Sequence, residues 1–205
     1  GKRVLVVGGT GSIGSEIVQR LLTCEPEVVR VLSRDDTKQA ELQQRLGPHP
    51  RMRYLIGDIR DRNRTKLAME GIEIVFHAAA MKHVPTCEYN PFEAAQTNVV
   101  GTQNVIEAAL DAKVKRVVVI STDKAVNPVN TMGVSKLMAE RMAVACDSWT
   151  RNKTRLCAVR FGNVIGSRGS LVPLLLDQIQ KGGPVTITDA NMTRFMMTIP
   201  EAVDL

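Results

Sequence analysis

The sequence predicts an α/β fold built on a doubly wound parallel sheet. Three observations predict it. Six apolar, strand-like runs recur at 3–7, 28–32, 52–56, 73–77, 115–121 and 156–160. Helical patterns fill the intervals between them, and the first run passes through a turn with glycines at spacing three into an apolar helix pattern. Parallel neighbours need a long crossover, so strand and helix in alternation read as βαβ units. At 205 residues and 44% hydrophobic content the chain can bury one core, with room for a small appendage.

The first run opens Lys2-Arg3-Val4-Leu5-Val6-Val7 and leads into Gly8-Gly9-Thr10-Gly11-Ser12-Ile13-Gly14, followed by the helical Glu16-Ile17-Val18-Gln19-Arg20-Leu21-Leu22. Strand, tight turn and helix N-terminus together bring backbone N–H groups and the positive end of a helix dipole against a pyrophosphate, where a Cβ would block the approach. The expectation is a dinucleotide held by Gly8, Thr10, Gly11, Ser12, Ile13 and Gly14 in a Rossmann-like domain; the plain alternative is a glycine-rich turn. The spacing Gly8-x-x-Gly11-x-x-Gly14 resembles that of the extended short-chain dehydrogenase/reductases, many of which act on nucleotide sugars.

The second run ends in Ser33-Arg34-Asp35. An acidic residue there binds the ribose hydroxyls of NAD, and an Arg accepts the 2′-phosphate of NADP. Arg34 comes first and favours NADP, with NAD as the alternative, although a charged pair after a strand also makes an ordinary solvated turn. The interval 36–51 reads as an exposed helix ended by Gly47-Pro48. After the third run stands Gly57-Asp58-Ile59, where the resemblance implies that Asp58 and Ile59 hold the adenine; Asp58 also fits a helix N-cap.

The fourth run delivers His77-Ala78-Ala79-Ala80-Met81-Lys82-His83-Val84-Pro85. Small residues let a backbone pass close to a ligand, so Ala78, Ala79 and Ala80 are expected to flank the cofactor, with Lys82 and His83 near it or the sugar. His83 serves equally well as a structural histidine. Asn98 falls in a helical stretch, and the resemblance implies that it orients groups around the cofactor. The fifth run ends in Ser121-Thr122-Asp123-Lys124, and ligands of open parallel sheets bind outside the carboxyl ends of strands. Thr122, Asp123 and Lys124 are therefore candidate catalytic residues, against the alternative of a surface ion pair. Met132-Gly133-Val134-Ser135-Lys136 aligns with the superfamily Tyr-x-x-x-Lys, whose Lys binds the nicotinamide ribose. A thioether cannot exchange a proton, so acid–base work falls to Asp123 and Lys124, with Lys136 at the ribose.

A closer resemblance rests on Ala79-Ala80-Met81-Lys82-His83-Val84-Pro85, Ser121-Thr122-Asp123-Lys124-Ala125, Asn127-Pro128, Arg160-Phe161-Gly162-Asn163-Val164, Gly166-Ser167-Arg168-Gly169-Ser170 and Met192-Thr193-Arg194-Phe195. Together these are similar to the UDP-N-acetylglucosamine 4,6-dehydratases of polysaccharide and glycan biosynthesis, in the form that carries Met in place of Tyr. The resemblance implies a UDP-sugar substrate and a tightly bound, recycled dinucleotide. Lys124 would remove the C5 proton, and protonated Asp123 would supply the departing C6 hydroxyl. The base for the 4-hydroxyl is then Asp123, with Thr122 as a relay. Met81, Lys82, Met132, Asn163, Arg168, Thr193 and Arg194 are the expected substrate contacts, with 160–163 and 166–170 wrapping the diphosphate. Residues 1–160 would form the NAD(P)-binding domain and 161–205 the start of a nucleotide-sugar-binding part, in a homo-oligomer. The rivals are a UDP-sugar 4-epimerase and a non-catalytic NADP-binding protein.

Composition narrows the classes. The net charge of +6 is scattered, and one Trp, two Tyr and four Phe offer few stacking platforms, which argues against nucleic acid. Cys24, Cys87, Cys146 and Cys157 share no close spacing, so neither a metal site nor a disulfide framework is expected, and a reducing, cytoplasmic setting follows. No run reaches the length of a membrane span. The chain opens on Gly1 and stops in Ile199-Pro200-Glu201-Ala202-Val203-Asp204-Leu205, where a Pro at a first helical position predicts the start of a helix. It thus reads as a piece of a larger, cytoplasmic protein without membrane contact of its own; the resemblance adds the alternative that it is the cytoplasmic domain of a membrane-attached protein.

Overall fold

A computed structural model describes residues 1–205 apart from 151, 152, 168, 170 and 188 and the side chain of 171. Six strands, β1 (Arg3–Val7), β2 (Val28–Ser33), β3 (Met52–Ile56), β4 (Ile74–His77), β5 (Arg116–Ile120) and β6 (Arg155–Val159), form one parallel sheet in the order β3-β2-β1-β4-β5-β6. Each lies within a residue of its apolar run in the sequence. Such runs are legible because a parallel sheet covered on both faces needs apolar side chains at successive positions.

Period-two alternation divides β1 between two cores. Leu5 and Val7 point into a cluster with Val75, Val117 and Val119, covered by Val105, Ile106 and Ala109 of α6 (Gly101–Asp111) and Ala143 of α7 (Thr131–Trp149). Val6 points the other way, with Val29 and Val31, against Ile17 and Val18 of α1 (Ser12–Thr23) and Leu42 of α2 (Asp36–Leu46). Removing a side chain such as Leu5, which is fully buried, would cost roughly 2–5 kcal/mol. The exposed α2 helix ends at Gly47, whose φ of 68° a side chain would resist.

Between β3 and β4 runs α3 (Arg62–Met69), whose N-cap is Asp61 accepting from the Arg64 N–H at 3.0 Å. The alternative that made Asp58 the cap is thereby overturned. After β4, α4 (Val84–Tyr89) leads to α5 (Pro91–Ala95), which continues through a single π-turn at Gln96–Val100 into α6. A π-turn inserts one residue into the helical ladder and commonly marks a functional site.

Beyond β6 the chain leaves the main sheet. Two-residue strands β7 (Asn163–Val164) and β8 (Met196–Met197) pair in parallel, with α8 (Leu171–Gln180) between them. The last helix, α9 (Ile199–Asp204), begins with a capping box in which Thr198 and Glu201 satisfy one another's N–H groups. It returns to α1, where Arg20 pairs with Asp204 at 2.9 Å and Val203 packs on the second core. No helix among the described residues is long and apolar enough to cross a membrane.

Candidate active site

A cleft of about 750 Å3 opens at the carboxyl ends of the strands, over the point where the chain reverses direction between β1 and β4. In open parallel sheets ligands bind at such a point, because two crossovers leave in opposite directions and part the loops.

The glycine turn forms one wall. Gly8 has φ 78°, and a Cβ on it would lie 2.6 Å from the Ala79 N. A Cβ on Gly14 would collide with the Gly8 carbonyl oxygen. Gly11 caps α1 without a side-chain bond, so the first-turn N–H groups face the cleft. Thr10, Ser12 and Ile13 also line it, and the Thr10 and Ser33 hydroxyls share a buried hydrogen bond of 2.8 Å.

At the end of β2, Arg34 and Asp35 line the cleft with Lys38. Asp35 caps α2 through the Lys38 N–H and pairs with the Lys38 ammonium at 2.6 Å. Arg34 reaches Asp58 at 3.6 Å, and Asp58 also receives the Arg60 guanidinium. Burial raises the Asp58 carboxyl, but the Arg60 hydrogen bonds and the Arg34 charge outweigh it and hold the group below its ordinary value. Ile59, Ala78, Ala79, Ala80, Met81, Lys82 and His83 complete the floor and far wall. Burial lowers the Lys82 amine.

Asn98 does not line the cleft. It is 1% exposed and serves as a clamp: its oxygen accepts from the Met81 N–H at 2.8 Å, and its nitrogen donates to the Met81 carbonyl and the Ser135 hydroxyl, both at 2.9 Å. Ser135 in turn donates to the Met132 carbonyl at 2.8 Å. A fully satisfied amide has nothing left for a cofactor, so its part is to hold the two methionine-bearing segments that do line the cleft. Its neighbour Thr97 is the residue sequence reasoning missed. The Thr97 hydroxyl is buried without a partner and the residue lines the cleft. A Thr within a π-turn carries no signal in a single sequence.

The chemical end lies beyond β5. Thr122 and Lys124 line the cleft, while Asp123 stands behind them, accepting from the Thr122 hydroxyl at 2.9 Å and from the Lys124 ammonium at 3.1 Å. Lys124 also donates to the Asn163 side-chain oxygen at 2.7 Å. Burial raises Asp123, but hydrogen bonds from Lys124 and Thr122 prevail, so it is a carboxylate below its ordinary value. The expectation of a protonated Asp123 therefore does not describe the resting protein, in which the group can accept a proton but has none to give.

Met132, 4% exposed, and Lys136, 7% exposed, sit in the first two turns of α7 and line the cleft. The Lys136 ammonium donates to the Ile120 carbonyl at 2.5 Å, and burial lowers it to about 8 despite the opposing charge of Glu140. Asn163 lines the cleft from β7. Arg160 does not face a diphosphate: its guanidinium is forked onto Glu140. Thr193 and Arg194 are exposed and absent from the cleft wall, with the Arg194 guanidinium turned onto the Thr193 carbonyl. Arg168 lies outside the described residues. No His, Cys, Asp and Glu cluster among the described residues could hold a metal ion.

Three observations fit a dinucleotide in this cleft: positions where a Cβ would fill the cradle, an uncapped helix N-terminus, and the orphan Thr97 hydroxyl. Residues 4–205 match a protein-family model described as polysaccharide biosynthesis protein. The chain is 56% identical over its whole length to an uncharacterized membrane protein of Methanocaldococcus jannaschii, and 45% identical over 209 aligned residues to a protein of Rickettsia rickettsii named UDP-glucose 4-epimerase. It spans 61% of the length of each. Among solved structures it is similar to Pen from Bacillus thuringiensis, with TM-score 0.96 and 50% identity over all of this chain and 65% of that one. It also resembles the dTDP-glucose 4,6-dehydratase DesIV of Streptomyces venezuelae, solved with NAD bound, with TM-score 0.87 and 27% identity over 98% of this chain and 70% of that one.

Proposed function

The chain belongs to the polysaccharide biosynthesis protein family, among nucleotide-sugar dehydratases and epimerases of the extended short-chain dehydrogenase/reductase type, and on that premise we propose that it is the catalytic part of a 4,6-dehydratase. Its substrate is UDP-N-acetylglucosamine and its product a UDP-4-keto-6-deoxy-N-acetylhexosamine. The observation that carries this reading is the placement of Asp123, Lys124 and Asn163 in one hydrogen-bonded set at the cleft, beside a thioether at the position of the superfamily tyrosine.

A dinucleotide would supply reversible hydride transfer to and from the sugar. Gly8, Gly11 and Gly14 would admit its pyrophosphate to the α1 N-terminus, Thr97 would offer a hydroxyl, and Lys136 would hold the nicotinamide ribose. Arg34 and Lys38 on the cleft wall support NADP, since cations there suit a 2′-phosphate; Asp35 beside them keeps NAD as the alternative.

The protons move on this chain's own groups. To act as base, the Lys124 ammonium must first give its third proton to solvent; the amine then keeps two N–H bonds, which Asp123 and Asn163 accept, and has a lone pair for the C5 proton. Oxidation at C4 makes that proton acidic by placing it beside a carbonyl. Asp123, ionised at rest, takes the 4-hydroxyl proton by way of Thr122, whose hydroxyl lies between it and the cleft. Once protonated, Asp123 can return that proton to the departing C6 hydroxyl. The same carboxylate is acceptor and then donor, and Met132 stays out of the exchange.

In this proposal residues 1–160 are the dinucleotide domain and 161–205 begin the sugar-nucleotide part of a homo-oligomeric enzyme on the cytoplasmic side of a membrane. The named membrane protein supports the attachment. A second reading, UDP-sugar 4-epimerisation, is favoured by the name of the Rickettsia relative. The test is Asp123→Asn and Lys124→Met in the full-length protein. Either should lower dehydration by about 10²–10⁴-fold while dinucleotide affinity is kept; full activity in both would sink the proposal.

A further inference from the structure

We propose that Glu140 is a positioning residue for this reaction: through Ser121 and Arg160 it pins the ends of β5 and β6 to α7, and it stands as the counter-charge of Lys136.

Glu140 is 6% exposed, a depth at which a carboxylate is kept only by partners. Its Oε1 accepts from the Ser121 hydroxyl at 2.5 Å and from Arg160 Nε at 2.8 Å, and its Oε2 accepts from Arg160 Nη2 at 2.6 Å. Ser121 immediately precedes Thr122-Asp123-Lys124, and Arg160 begins the segment that carries Asn163. The two segments also run side by side, with Ser121 N–H donating to the Val159 carbonyl at 2.7 Å and Asp123 N–H to the Phe161 carbonyl at 3.0 Å. One carboxylate therefore closes a triangle of β5, β6 and α7 beneath the Lys124–Asn163 bond.

The same group acts on Lys136, one helical turn before it on α7. Burial lowers the Lys136 amine and the Glu140 charge opposes that fall. The other groups facing the pair are the Ile120 carbonyl and Ser121 hydroxyl from β5, Arg160 from the end of β6, and His77 from β4. His77, fully buried and lowered to about 3, is neutral, so Glu140 is the anion of this set and Arg160 the competing cation. The inference rests on the proposed reaction for its consequence, since Lys136 is there to hold the nicotinamide ribose.

The experiment is competitive acetylation of Lys136 by acetic anhydride across pH in the full-length protein, read by mass spectrometry, alongside the pH profile of turnover. Glu140→Gln keeps an acceptor for Ser121 but removes the charge. It should lower the pH at which Lys136 becomes reactive by about one unit and move the alkaline limb of kcat down with it. Arg160→Gln keeps the carboxylate and should shift Lys136 the opposite way. Looser packing alone would raise Lys136 in both variants by letting water in, so an unchanged or raised midpoint in Glu140→Gln, or a lowered one in Arg160→Gln, overturns the proposal. Labelling needs no turnover: wild-type protein that makes no 4-keto product would refute the proposed reaction and still leave the Glu140 question decided.

Discussion

The Lys124 ammonium donates to the Asn163 side-chain oxygen at 2.7 Å, across the gap between the end of β5 and the start of β7. With the Asp123 bond at 3.1 Å, it fixes two of the three directions around the nitrogen that must act as base. Asn163→Ala would release Lys124 to other rotamers. The expected loss in kcat is about 10- to 100-fold, with dinucleotide affinity unchanged, as measured by steady-state turnover and by titration of bound cofactor fluorescence.

If Met132 takes no part in proton transfer, shape is all it contributes. It packs with Cys87 and Ala94, against Met81 and Val84. Met132→Leu conserves volume and should cost under about 1.5 kcal/mol of stability and leave kcat within about threefold of wild type. A loss of several orders of magnitude would show that the thioether does chemistry here.

Gly14→Ala places a methyl group against the Gly8 carbonyl oxygen, in the turn that must receive the pyrophosphate. Dinucleotide affinity should fall at least tenfold, about 1.4 kcal/mol, by isothermal titration. A matching change at Gly47, where a Cβ would meet nothing within 4 Å, should leave cofactor affinity alone while costing stability through its positive φ.

His77 sets an acid limit on the fold. Thr102 gives its one hydroxyl proton to the Asn98 carbonyl, so His77 Nε2 donates to Thr102 and Nδ1 is left buried without a partner. Its folded value is lowered to about 3 from 6.5 by burial and then by Lys136. The unfolded chain takes up this proton as pH falls through 6.5 and the folded one does not until about 3. Stability from this group is therefore complete above 6.5 and drains between the two values. Urea unfolding at pH 7 and pH 5 should differ by about 2 kcal/mol more in wild type than in His77→Gln, which keeps a donor for Thr102 but does not titrate.

Much of this architecture is legible in the sequence because its signals are local. The six apolar runs mark the strands of the parallel sheet, and Gly8 and Gly14 mark a turn that tolerates no Cβ. The remainder depends on partners distant in the chain. Arg160 looks like a phosphate ligand in its own segment and becomes a structural partner only when α7 brings Glu140 beneath it. Thr97 and Asn98 both fall within the π-turn at Gln96–Val100, and only the folded chain shows that Asn98 clamps Met81 while Thr97 lines the cleft. Asp58 and Asp61 offer the same capping chemistry, and only the start of α3 shows which is used. Thr193 and Arg194, expected as substrate contacts from their local pattern, lie exposed outside the cleft wall.

The most direct measurement follows the full-length protein turning over UDP-N-acetylglucosamine in D2O by NMR, without added reductant. A 4-keto-6-deoxy product carrying deuterium at C5 is the expected result, because Lys124 exchanges its proton with solvent before C5 is reprotonated. UDP-N-acetylgalactosamine as the sole product, with no deuterium at C5, would contradict dehydration and establish the epimerase reading instead.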